Sequence, residues 1–167
     1  TEMKLARYAI GLAAGLALTA SAALADTTTL RITLQLPMKS HLGENLSIFK
    51  QKVEEISGGD IKVEIYDSAQ LYKDDEVPQA VGSGSIEMGV ASLTRYVGDV
   101  PAVDVFYMPF LLNSDELVRK AVAPGSPVRG PLDEAILDTG ARVLWWQAYG
   151  GSVLLSKGGP IRTPADL

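Results

Sequence analysis

The chain has 167 residues, 47% hydrophobic and 21% charged, which suits roughly one folded domain and excludes disorder by composition. It contains no cysteine, so disulfides, thiolate zinc sites and a thiol nucleophile are excluded, while the redox compartment stays open. The formal net charge is −5 and no block of lysine and arginine stands out, which argues against a nucleic-acid partner.

Residues 1–25 read as a secretory signal peptide. Met3–Arg7 is a short positive segment, Tyr8–Leu18 is apolar, and Ala23-Leu24-Ala25 is a small-x-small cleavage site before Asp26. Thr1 and Glu2 stand ahead of the start methionine as a two-residue leader artefact. No later segment is apolar enough to span a bilayer, so an exported product cleaved after Ala25 is expected.

Leu30–Leu36 alternates apolar and polar residues and predicts a half-buried strand, ended by Pro37. The loop that follows carries the only histidine, His41. In Glu44–Ile56 the spacing of Leu46, Phe49, Val53 and Ile56 predicts one face of a helix, stopped by Gly58-Gly59. Ile61, Val63 and Ile65 alternate as a second strand. Strand, helix and strand with short links make a βαβ unit, hence a parallel pair. Asp67–Asp75 is a polar loop beyond the second strand, and Glu76–Val81 reads as a short helix.

Gly82–Tyr96 is the stretch around which the chain is organised. A small, flexible linker precedes a strand predicted over Ile86–Ala91, after which Ser92, Thr94, Arg95 and Tyr96 appear in succession. The carboxyl ends of strands in an open α/β sheet are where ligands are held. The planar guanidinium of Arg95 suits a carboxylate, while on residue type alone a structural ion pair or a solvated side chain is the commoner fate of an arginine. Gly98–Asp104 reads as a turn. Val105–Leu112, the most apolar stretch, reads first as core and second as a pocket lining.

Asn113 is placed to cap a helix with Glu116 reaching back, and Pro131 opens another helix carrying Leu132, Ala135 and Ile136, closed by Gly140. Ala141–Gln147 and Ser152–Ser156 read as strands. Thr163-Pro164-Ala165-Asp166 is a helix entry with no helix after it, so the sequence is expected to be an N-terminal fragment, a frayed terminus being the alternative. No phosphate loop, nucleophile elbow or His-rich metal set occurs, so neither a cofactor nor a metal is expected, and an enzyme is a minority reading.

Several segments taken together resemble the solute-binding proteins of TRAP (tripartite ATP-independent periplasmic) transporters, dicarboxylate-binding type. They are the leader, the first strand with Pro37, IKVEIYDSAQLYKDDEV at 61–77, GSIEMGVASLTRY at 84–96, FYMPFLL at 106–112 and LLSKGGPIRTPADL at 154–167. The resemblance implies a periplasmic-binding-protein-like α/β lobe with a mostly parallel sheet flanked by helices. Residues 26–150 would be this first lobe, 151–167 would lead to the domain crossover, and most of the second lobe would be missing. It implies capture of a small carboxylate and delivery to TRAP permease membrane subunits, without catalysis. By the same resemblance Gln35, Asp74 and Ser92 are substrate-binding positions with Arg95 beside them, while His41 and Tyr96 are secondary candidates. Two other readings stand beside it: an exported ligand-sensing module for a receptor kinase, and a secreted hydrolase using Asp74 or Asp75.

Overall fold

The computed structural model describes residues 27–151 and 155–166; the expected signal peptide lies outside them. Strand β1, Thr28–Thr33, is joined through helix α1, His41–Ile56, to β2, Ile61–Tyr66. The two strands pair in parallel from Thr28 opposite Ile61 to Thr33 opposite Tyr66, so the βαβ unit forms as its alternation predicts. Helix α2, Val77–Gly82, leads to β3, Met88–Gly89, which pairs in parallel with the other edge of β1. The sheet order is therefore β2-β1-β3. The α/β class and the parallel sheet flanked by helices are as expected.

One core cluster sits between the sheet and α1. Leu42 and Leu46 pack with Ile32, Leu34 and Val63, joined by Phe49, Val53, Met88 and Val90. Fully burying such an aliphatic side chain contributes roughly 1.5–3 kcal/mol, so the five buried residues dominate this face. Ile56, predicted on the same stripe, is 83% exposed. Helix α1 starts three residues earlier than predicted, because Ser40 caps it by accepting from Gly43 N at 3.2 Å. Its buried stripe accordingly begins at Leu42.

The third strand is shorter than Ile86–Ala91, for a local reason. The backbone N–H of Arg31 is taken at 2.9 Å by the Glu87 carboxylate, which also receives the Arg31 guanidinium at 2.9 and 2.7 Å. A ladder donor of β1 is thus spent on a side chain. Pairing is confined to Met88–Gly89, followed by Val90 N donating to Thr33 O at 3.0 Å.

A second cluster gathers Tyr96, Val100, Val103, Leu132, Ile136 and Ala141. Two 3₁₀ segments, Leu93–Tyr96 and Pro101–Tyr107, supply its first half. Three residues per turn put Val100, Val103 and Phe106 on one stripe and turn the remainder outward. Past this stripe the apolar stretch expected in the core is largely at the surface: Tyr107 at the end of the second segment and Met108 and Leu111 beyond it are exposed, and Phe110 is 92% exposed.

Helix α3, Asp115–Val122, is capped by Ser114 rather than Asn113, and Glu116 pairs with Lys120 at 2.7 Å instead of reaching back. Helix α4, Arg129–Asp138, begins before Pro131 because Ser126 Oγ accepts from Arg129 N at 2.9 Å. A proline in a first helical turn removes no intrahelical bond. Leu132, Ala135 and Ile136 face the second cluster as predicted.

Ala141–Gln147 forms no ladder. It is anchored by side chains: Trp146 packs on Phe106 and donates to Asp133 at 2.6 Å, while Trp145 packs on Phe49. Buried-strand residue types report burial, and a strand also needs a hydrogen-bonding neighbour. The strand expected over 152–156 begins on 152–154, which lie outside the described residues. At the end of the chain, Asp166 accepts from Thr163 N at 2.7 Å around a single turn, Pro164–Asp166, which is the helix-entry chemistry read from TPAD.

Two predictions follow from this packing. A Cβ on Gly82 would meet Thr139 O at 2.7 Å, with Gly140 at φ 91° directly behind. Gly82→Ala should cost about 1–3 kcal/mol by overpacking, read as a fall of several degrees in a thermal melt. Hydrogen bonds from Arg31 hold the Glu87 carboxyl well below its ordinary value, to about 2. A depressed carboxyl stabilises the fold above its unfolded pKa and ceases to do so as pH falls through the folded one. The stability difference between wild type and Glu87→Gln should be flat above about pH 4.5 and shrink towards pH 2 in acid-titrated denaturation.

Candidate ligand site at the strand ends

All three strands are parallel, so their carboxyl ends share one edge of the sheet. Because β1 lies between β2 and β3, the chain leaving β2 must cross the end of β1 to reach β3. Residues 67–76 make that crossing. Ala69 N donates to Leu34 O at 2.9 Å and Ser68 N to Leu36 O at 3.1 Å, with Ser68 and Ala69 both in left-handed conformation. Asp67 accepts from Met38 N at 3.0 Å, and the buried Thr33 hydroxyl is paired with Tyr72 N and O at 3.3 Å each.

The loop then delivers Asp74 to the exit of β3. One carboxylate oxygen accepts from Ser92 N at 2.8 Å and the other from Arg95 Nε at 2.7 Å. The Asp74 side chain is 16% exposed, whereas that of Arg95 is 45% exposed. Burial by itself pushes the Asp74 carboxyl up, but hydrogen bonds from Arg95 and Ser92 outweigh it and the net shift is downward. Asp74 is therefore an anion with one donor held on each oxygen. Among the described residues the terminal nitrogens of Arg95 have no hydrogen-bond partner, so its charged fork faces outward while its root is fixed. That is the arrangement a guanidinium needs to receive a carboxylate.

The structure thus brings Asp74, Ser92 and Arg95 into one unit. Gln35 lies two residues beyond Thr33, which pairs with Gly89, so it reaches the same edge level with the exit of β3. Its Oε1 is buried without a hydrogen-bond partner. His41 opens α1, is exposed, and forms a T-shaped pair with the Tyr149 ring, centroids 5.9 Å apart. Tyr96 is separated from the others: its ring is in the second core cluster, 9% exposed, and burial raises its pKa.

Two contacts of this region escaped the sequence reading. Tyr107 Oη accepts from Thr94 N at 3.3 Å, and Gln147 Nε2 donates to His41 O at 3.5 Å. A phenol inside an apolar run was the only signal for the first. An open groove also borders Arg95, but Asp75, Asp99 and Asp138 line it, a charge set unsuited to an anion.

Comparison with known proteins places the chain in a family. Residues 33–167 match the model described as bacterial extracellular solute-binding protein, family 7. The chain belongs to that family. It is 26% identical over 146 residues to the C4-dicarboxylate-binding periplasmic protein DctP of Rhodobacter capsulatus, covering 86% of this chain and 43% of that protein. Among solved structures it resembles a TRAP periplasmic solute-binding protein from Sulfurospirillum deleyianum with bound succinate, at a TM-score of 0.63 and 22% identity, covering 68% of this chain and 36% of that one. It also resembles one from Pseudomonas aeruginosa with bound L-malate, at 0.64 and 21%, covering 71% and 40%. The chain spans about two fifths of the length of these relatives, and the solved structures share its fold.

The Asp74–Arg95 pair makes a spectroscopic prediction. The Arg95 Nε–H should give a protected, slowly exchanging proton NMR signal at neutral pH. That signal should broaden in Asp74→Asn, and in wild type as pH falls below the lowered Asp74 pKa. A signal indifferent to both would mean that the pair does not hold in solution.

Proposed function

We propose that the full gene product is the periplasmic solute-binding component of a TRAP transporter, which captures a small organic acid and delivers it to a membrane permease. The observation that carries this reading is the Arg95 guanidinium, fixed at Nε by Asp74 and open at its other nitrogens, at the carboxyl edge of a parallel sheet. Family membership supports it, as do relatives whose names and titles record C4-dicarboxylate, succinate and L-malate binding. The hydrolase reading has no comparable support, since the relatives are named as binding proteins.

In this reading residues 1–25 are removed after Ala25, 26–150 form the first lobe, and 151–167 lead towards a second lobe that closes on the acid. Gln35 and Ser92 border the acid and Arg95 binds its carboxylate. The ligand favours the closed form only by the amount it binds that form better than the open one. Arg95→Ala in the full gene product should weaken carboxylate binding by more than tenfold, measured by calorimetry across a panel of small mono- and dicarboxylates. An unchanged affinity would make Arg95 a structural residue.

A further inference from the structure

We infer that Tyr107 is a second donor to the same carboxylate, so that the acid is gripped by a guanidinium and a phenol together. This rests on the binding reading above. The phenol oxygen accepts from the backbone N–H of Thr94, the residue before Arg95. Ser92, in the capping position of this 3₁₀ turn, makes no side-chain capping bond, so Tyr107 does from outside what a capping side chain does from within. Accepting one bond leaves the phenolic hydrogen of Tyr107 to donate. Among the described residues it has no acceptor, and Tyr107 is 48% exposed.

The turn is therefore pinned from two directions. Asp74 holds Ser92 N and Arg95 Nε, and Tyr107 holds Thr94 N between them in sequence. Each pin consumes acceptors and leaves donors: the terminal N–H groups of Arg95 and the O–H of Tyr107. An anion is the ligand that satisfies both, and a carboxylate has two oxygens to share between them.

The test replaces the oxygen alone. Succinate and L-malate are titrated into the full gene product as wild type and as Tyr107→Phe, with melting temperatures recorded. In parallel, 3-fluorotyrosine is placed at position 107 and its fluorine resonance followed during the titration. The inference expects affinity to fall at least fivefold, melting to change by no more than about two degrees, and the fluorine signal to move on saturation. Equal affinities, or a loss of affinity without a ligand-dependent fluorine shift, would overturn it and leave Tyr107 as a structural support. If wild type binds neither these acids nor any other carboxylate, the reading beneath it fails as well, and that outcome is recognised before any variant is compared.

Discussion

Asp74 joins two parts of the sheet that no backbone ladder joins. Strands β2 and β3 lie on opposite sides of β1, so the loop after β2 must roof the end of β1 before it can touch β3's exit. A single carboxylate closes that span, with one oxygen on Ser92 N and the other on Arg95 Nε. Exposed ion pairs of this kind contribute little to stability. The consequence here is positional. The bond stops the guanidinium from swinging freely on its flexible stem and removes part of the entropy that a ligand would otherwise have to overcome.

The buried side-chain oxygen of Gln35 belongs to the same crossing. Ala69 N and Ser68 N bond to the carbonyls of Leu34 and Leu36, on either side of Gln35. A buried acceptor without a partner costs on the order of 1–3 kcal/mol, a cost that strand ends at ligand sites commonly carry. The loop, the strand end and the 3₁₀ turn thus form one structural unit, although they are far apart in sequence.

Alternation and helical spacing made the βαβ unit legible, although Ile32, Thr33 and Leu34 are buried in succession and Ile56 lies off the buried stripe of α1. Asp74, Ser92 and Arg95 were legible as polar residues beyond strand ends, and the structure brings the three together. Their mutual arrangement was not legible. Nothing in the sequence states that Glu87 intercepts the Arg31 N–H and shortens β3, or that Asp74 holds one donor on each oxygen. The apolar run 105–112 gave no sign that residues 107–111 lie at the surface, since composition reports apolarity and not position. The spacing of Tyr96 from Arg95 gave no sign that adjacent residues of a 3₁₀ turn diverge, one towards solvent and one into the core.

The most direct test of the account is a calorimetric titration of the full gene product, wild type and Asp74→Asn, with succinate and L-malate. Removing a negative charge beside a carboxylate site should tighten binding if long-range charge alone governs it. The account predicts the opposite. Asp74→Asn should weaken binding severalfold, and should weaken it no further when Arg95 is already alanine, since the aspartate acts through that arginine. Tighter or unchanged binding in Asp74→Asn would contradict the claim that this ion pair holds the guanidinium ready for its ligand.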